Sequence, residues 1–377
     1  MARKRVLIVY RSYFPSRSHL GPATAIRNLV EALGNDYDFH ILTLNHDFAT
    51  GAALFAAPHH REVLRHAVVE YVPRGLPAWR LLARRLNEDF DVVDIHCAFD
   101  PLLAIPALAL CRLGFARHSR LCHTPHGIFM DVIMGTRSLR KTLFCRAADL
   151  LGLYRRVVHL AGSPGEARDI ARNHVRPQQI AVVSQFVAAL PVTAGRAEKP
   201  AGRLNIAFVG RITEQKNLAA AIAMIQALRV PATLRVFGEA ADADYLARCE
   251  DLMRQGVGLG TIRFEGRVEP ADLARALPQH DVLLHPTLGE NFGHAIVEAL
   301  HLGLPVLISD RSPWTDVEAA RAGWALPLTD LDGFVARLEA IHAMGAEWVE
   351  WSRGAIAYAR RTFDRTATEQ RYRGVYG

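Results

Sequence analysis

Two stretches of the chain carry residue types that can hold an anion beside a set of hydroxyl groups. "HPTLGENFGHAIVEAL" (285–300) sets Glu290 in a loop ahead of an apolar helix and Glu298 in that helix's second turn. "NIAFVGRITEQKNL" (205–218) ends a strand at Gly210 and follows it with Arg211 and Lys216. Gly293 lets a ligand approach the backbone at the helix start, where unpaired N–H groups and the helix dipole favour a phosphate. Two cations in a loop at a strand end can hold a diphosphate, and arginine can do so through two parallel hydrogen bonds. Carboxylates beside such a site accept hydrogen bonds from neutral hydroxyls, as a ribose or a sugar ring supplies. Alone, each stretch also reads more plainly, as a helix-start charge with a surface glutamate, or as a solvated basic loop. Together they point to a nucleotide sugar.

Such a constellation has to be positioned by strands and helices, and the chain supplies both in alternation. At 377 residues, half of them apolar and 22% charged, two soluble domains are expected. In the first half the strand candidates are "RVLIVY", "DFHILTL", "VVEYVP", "DVVDIHC", "RLCHTPHG", "RVVHLAG" and "IAVVSQ". The second half offers "LNIAFVG", "ATLRVFG", "IRFEGRV", "DVLLHPT" and "PVLISD". Apolar strands separated by amphipathic helices predict parallel sheets covered on both faces. The expected division is an N-terminal Rossmann-like domain over 1–187, a linker over 188–203 rich in Ala, Pro and Gly, and a C-terminal domain over 204–355. A helical tail, 356–377, is expected to pack back toward the N-terminal domain. Trp348, Trp351, Ala355 and Tyr358 stand at helical spacing and read as a packing face.

The composition also narrows the function. No apolar run reaches membrane-spanning length, and "MARKRVLIVYRSYF" has no cleavage site, so a cytoplasmic protein is expected. Five cysteines without C-x-x-C spacing read as reduced core residues. Neither a phosphate-binding G-x-x-x-x-G-K-[ST] nor a G-x-G-x-x-G follows a strand. D-x-D, a spacing that can hold a divalent metal, occurs at 36–38, 89–91, 242–244 and 330–332. All four fall near turns and helix starts, where aspartate is favoured anyway, so no metal site and no cofactor are expected.

The Gly-Arg–Lys loop, followed by E-x7-E, resembles family 4 of the retaining glycosyltransferases. "SYFPSRSHLGPATAIRNLVEAL" is similar to that family's first strand–loop–helix unit, "TPHGIF" to its central His-Gly loop, and "HLGLPVLISDRSPWTD" to the segment after the E-x7-E helix. The resemblance implies an α/β chain of GT-B architecture, two Rossmann-like doubly wound parallel-sheet domains facing across a cleft. By the same resemblance Arg211 and Lys216 neutralise the departing diphosphate, and Glu298 takes the ribose hydroxyls. Glu290 binds the transferred sugar, helped by the backbone of Asn291, Phe292 and Gly293. Gly210 ends the strand below the diphosphate, and His126 lies near the reacting carbon, though by itself it reads equally as a strand-end histidine. Gly21 lets the first loop approach the phosphates; the family often has paired glycines there, and this chain has Gly21-Pro22.

The resemblance therefore implies transfer from a nucleotide-diphosphate sugar to a glycan or lipid-linked glycan, with retention and without metal. Surface polysaccharide or lipopolysaccharide assembly is the natural setting for such an enzyme. A nucleotide-sugar epimerase or glycan phosphorylase of the same fold, or a non-catalytic sugar-nucleotide-binding protein, is the alternative. Charge is uneven: residues 1–190 hold 24 Lys/Arg against 15 Asp/Glu, and the remainder 21 against 23. "PAWRLLARRL" (77–86) and "RSLRKTLFCRAADLLGLYRR" (137–156) mix cations with Leu, Phe and Tyr. They read as helices contacting an anionic membrane or a lipid diphosphate, or else as solvated faces. No nucleic-acid module is present.

Overall fold

Each run expected as a strand forms one; most are buried on both faces, where an uninterrupted apolar stretch suffices, while "IAVVSQ" and "IRFEGRV" form partly exposed edge strands. The computed structural model describes residues 3–377 except 17–19, 136–137, 175, 177, 189, 191–195, 197, 200 and 257. Two units emerge: Met1–Phe186 with Arg365–Gly377, and Val187–Asp364.

In chain order the first unit holds β1 (Lys4–Val9), α1 (Leu20–Leu33), β2 (Tyr37–Leu44), β3 (His60–Val63), β4 (Ala67–Val72), α2 (Leu76–Leu86) and β5 (Val92–His96). It continues with α3 (Ala104–Arg112), β6 (Arg120–Thr124), α4 (Asp131–Gly135), α5 (Ser138–Leu151), β7 (Val157–Ala161), α6 (Pro164–Asn173) and β8 (Gln179–Val182). The sheet order is β3-β4-β2-β1-β5-β6-β7-β8, parallel except for the β3–β4 pair. Alternate residues of β1 feed opposite cores: Val6 and Ile8 join one, Leu7 and Val9 the other. Strand β3, "HREV", has no apolar run to betray it; it is an exposed antiparallel edge.

The second unit begins with β9 (Leu204–Val209), α7 (Leu218–Ala227), β10 (Ala232–Phe237), α8 (Ala243–Gln255), β11 (Gly260–Gly266) and α9 (Pro270–Ala276). Then come β12 (Val282–His285), α10 (His294–His301), β13 (Val306–Ser309), β14 (Gly323–Leu326), α11 (Leu331–Ala343) and α12 (Glu347–Thr362). Its six strands are all parallel, ordered β11-β10-β9-β12-β13-β14. Among the parallel strands of each sheet the order reverses at one place, between β1 and β5 and between β9 and β12. In open α/β sheets the carboxyl ends of strands at such a reversal are where ligands bind.

Of the expected linker, residues 189, 191–195, 197 and 200 lie outside the described residues. Helix α12 runs through residue 355, where the sequence reading ends the second domain. It does so because Trp348, Ala355, Tyr358 and Ala359 are all buried in that unit's cores. The last helix, α13 (Arg365–Tyr376), belongs to the first unit, where Tyr372 and Tyr376 join the β1 core. The five cysteines are unpaired. In each D-x-D stretch at least one aspartate has a structural partner. Asp242 and Asp330 cap α8 and α11, Asp91 accepts from the Arg5 N–H, and Asp36 pairs with Arg373.

Candidate active site

Lys216 and Glu290 meet because two loops at the β9/β12 reversal are laced together. The loop after β9 tightens into a short 3-10 turn, Glu214–Lys216, and leaves it through Asn217 in the left-handed conformation, φ 58°. Asn217 Nδ2 donates to the Pro286 carbonyl at 3.0 Å, and Gln215 Nε2 to that of Gly289 at 2.8 Å. The Leu288 N–H and the Thr287 hydroxyl both donate to the Gln215 carbonyl, at 2.8 and 3.0 Å. This lacing carries the Lys216 ammonium onto Glu290 Oε2, where it donates a hydrogen bond and forms an ion pair. His285 Nε2 reaches the same oxygen at 3.1 Å.

Burial alone would raise the Glu290 pKa, but the charge of Lys216 and the bond from His285 hold it well below the usual carboxylate range. Burial lowers His285 in turn, although its bond to Glu290 works against that. Gly293 explains itself sterically: at φ 75°, a Cβ would lie 2.9 Å from Glu290 Cγ and 3.0 Å from Ile296 Cδ1. A side chain there would displace the carboxylate. Gly210 packs against the Lys216 stem, and its carbonyl fits only because residue 238 is also glycine, where a Cβ would come within 2.0 Å.

The remaining expected site residues divide between the two units. Arg211 leaves the same strand end, is exposed, and among the described residues has no hydrogen-bond or ion-pair partner. Asn291 is half-buried. Phe292 is a core residue: its ring sits against His294, Trp314 and Phe363, and its carbonyl accepts from Trp314 Nε1 at 2.6 Å. Its side chain therefore shapes the loop and is not presented to a ligand. Glu298 is half-buried on α10, one turn beyond His294. Gly21 and His126 belong to the first unit. Gly21 lies in the first turn of α1 and not in a loop, as suits the Gly-Pro pair, since proline is favoured there. His126 follows β6 in the left-handed region, φ 57°, with Gly127 beside it at φ 74°.

Two histidines of the 285–300 stretch had no role in the sequence reading. His285 ends β12 against Glu290, and His294 opens α10 with both ring nitrogens buried and, among the described residues, unpartnered. Burial pushes the His294 pKa down to about 4. Their positions within the motif were the only signal, since one histidine at a strand end looks like another.

Both halves of the chain are similar to known proteins. Residues 21–189 match the model of Glycosyltransferase Family 4, and residues 203–343 that of Glycosyl transferases group 1. A phosphatidyl-myo-inositol mannosyltransferase of Mycolicibacterium smegmatis is 40% identical over 93 residues, 24% of each chain. A GDP-mannose-dependent alpha-mannosyltransferase of the same organism is 31% identical over 172 residues, 45% of this chain and 42% of that one. The aligned parts thus span less than half of those relatives. The solved Anabaena HepE structure in complex with UDP-glucose superposes with a TM-score of 0.74 at 14% identity, covering 98% of this chain and 99% of that one. Both halves carry their family matches, and the whole has the GT-B fold of two Rossmann-like domains: the chain belongs to the family 4, group 1 glycosyltransferases.

Proposed function

We propose that the protein transfers a sugar from a nucleotide diphosphate to a glycan or lipid-linked glycan, with retention and without a metal ion. The observation that carries this reading is the Lys216–Glu290 pair at the carboxyl ends of β9 and β12, with the exposed Arg211 leaving the same loop. When the glycosidic bond to a diphosphate breaks, negative charge grows on the phosphate oxygens. Preorganised cations and helix N–H groups placed there stabilise that charge more than they stabilise the ground state. Arg211 is the uncommitted cation, and Lys216 divides its charge between Glu290 and the incoming phosphate. Glu290, kept ionised, accepts hydrogen bonds from sugar hydroxyls, and Glu298 serves the ribose. The acceptor's proton passes to the departing phosphate on the face of attack.

Both named relatives are mannosyltransferases and the superposed structure holds UDP-glucose, so GDP-mannose and UDP-glucose are the first donors to try. Surface polysaccharide or lipopolysaccharide assembly remains the proposed setting. A peripheral contact with anionic membrane is proposed through α5, where Leu139, Leu143, Leu150 and Leu151 are exposed beside Arg140 and Arg146. Among the described residues, no helix is long and apolar enough to cross a membrane.

The test is a panel of nucleotide sugars read first by thermal shift, since a ligand of the folded state raises its melting point. Acceptor-dependent nucleotide release, with and without EDTA, is then measured for any donor that binds. A stabilising donor, release that survives the chelator and a product of retained anomeric configuration are expected. If no donor stabilises the protein or is consumed, the reading is wrong.

A further inference from the structure

The first unit contains a buried polar chain of its own. Asp94 and His96 sit two apart on β5, so their side chains share one face of the sheet. Both are buried, with side-chain exposures of 1% and 3%. Asp94 Oδ1 accepts from the Thr124 hydroxyl at 2.9 Å, and Oδ2 accepts from the Tyr376 hydroxyl at 2.8 Å. The same Oδ2 faces His96 Nε2 at 3.5 Å. On the far side of that ring, His96 Nδ1 lies 2.7 Å from His126 Nε2, and the two imidazoles stack with centroids 4.9 Å apart.

The carboxylate sets the order of donors. Both carboxylate oxygens accept a hydroxyl hydrogen, Oδ1 from Thr124 and Oδ2 from Tyr376, so Asp94 is the anion of the set. His96 Nε2 makes no hydrogen bond among the described residues, but the Asp94 carboxylate 3.5 Å away repels a lone pair there and so favours the hydrogen on Nε2. In the neutral ring Nδ1 is then an acceptor, and at 2.7 Å it can only receive the hydrogen of His126 Nε2. The second fixture is Glu166, buried, which accepts from the Gly127 N–H at 2.5 Å and the Gly162 N–H at 2.7 Å. His126 thus adopts a left-handed backbone conformation that is unfavourable for a non-glycine residue, with its ring tied on one side and its neighbour's N–H on the other. Strain over-determined in this way is found where a side chain must be aimed.

We propose that Asp94 and His96 are positioning residues that hold His126 as the Nε2–H tautomer, making Nδ1 its basic nitrogen, and that Tyr376 at the end of α13 completes the set. The functional weight of this relay rests on the glycosyl-transfer reading, in which His126 faces the reacting sugar. The tautomer itself does not depend on that reading.

Nitrogen-15 spectra of histidine-labelled protein at about pH 8, above the ordinary histidine range, test the tautomer with no donor or acceptor present. The His126 signal is assigned by its loss in His126→Gln. Wild type is expected to show Nε2–H at His126, His96→Phe a mixture of both tautomers, and Tyr376→Phe, which keeps the packed ring, a smaller change in the same direction. Nδ1–H in wild type, or an unchanged His126 signal in His96→Phe, overturns the proposal. With an active donor in hand, Tyr376→Phe should lower kcat by about tenfold with KM unchanged. A rise in KM alone overturns the positioning role. A locked tautomer in a protein that transfers no sugar retracts the function and leaves the relay in place.

Discussion

Lys216 and Glu290 each hold the other in place, which gives their substitution two separable consequences. Lys216→Ala leaves a carboxylate that is 12% exposed without its cation, and Glu290→Ala strands the ammonium. Each is expected to destabilise the fold by about 1–3 kcal/mol, less than a fully buried pair because Lys216 is 21% exposed. The double variant should cost less than the sum by about 1–3 kcal/mol in urea unfolding. Transfer should fall by about 100-fold or more in each single variant, the loss expected when a transition-state cation is removed. Additive stabilities would mean that the pair is not formed in solution. The neutral histidines make a second residue-scale prediction. Burial pushes His123, His280 and His294 down to about 4. Above the unfolded value of about 6.5 both states are neutral; below it the unfolded chain takes up protons that the folded chain refuses. Stability is therefore lost as pH falls from about 6.5 to about 4. His294→Leu, which removes a ring whose nitrogens have no hydrogen-bond partner among the described residues, should recover about 2 kcal/mol at pH 5 relative to pH 7, measured by urea unfolding at both values.

At the scale of elements, the loop before α10 and the face of α5 are the parts whose behaviour is set by local chemistry. Gly293 sits at φ 75° against Glu290 Cγ. Gly293→Ala should cost about 1–2 kcal/mol through the left-handed backbone alone. It should also weaken donor binding more than Asn291→Ala does, because the added methyl moves the carboxylate. Equal donor affinities in the two variants, by calorimetry, would separate the glycine from the site. In α5, Leu139, Leu143 and Leu150 recur at spacings of four and seven and are exposed by 73%, 53% and 77%. Three leucines on one helical face beside Arg140 and Arg146 suit an anionic lipid surface better than water. Leu143→Ser with Leu150→Ser should reduce co-sedimentation with anionic vesicles by about tenfold and leave turnover of a soluble acceptor intact. Binding that salt abolishes in wild type, and that the two serines do not change, would assign the contact to charge alone.

At the scale of the whole molecule, the alternation of apolar strands with helices was enough to foresee two doubly wound sheets. It was also enough to put Arg211, Lys216 and Glu290 at the carboxyl ends of their strands, since a strand–loop–helix pattern fixes which end a loop lies on; that the two strands are neighbours comes from the sheet order. It could not foresee β3, whose residues alternate between half-exposed and exposed, nor that Phe292 turns its ring into the core. Least of all could it show Asp94, His96 and Tyr376 together, because contacts between residues 282 positions apart leave no periodic trace. The return of α13 to the first unit has its own consequence. Tyr372 and Tyr376 are 5% and 2% exposed in the core built on β1, with Tyr376 edge-on to Tyr37 and Arg373 paired to Asp36. This helix is thus a packing element of the N-terminal sheet, although the whole second unit separates it from that sheet in sequence. Deleting a buried aromatic side chain costs about 3–5 kcal/mol. Tyr376→Ala should therefore lower the stability of the first unit by that amount, with the added loss of a hydroxyl from Asp94. Hydrogen exchange locates the effect: protection should fall in β1, β5 and β6 and persist in β9, β10 and β12, whose core contains no residue of α13. Uniform loss of protection in both sheets would show that the two units unfold as one, and unchanged protection in β5 would show that the tyrosine merely covers the sheet without supporting it.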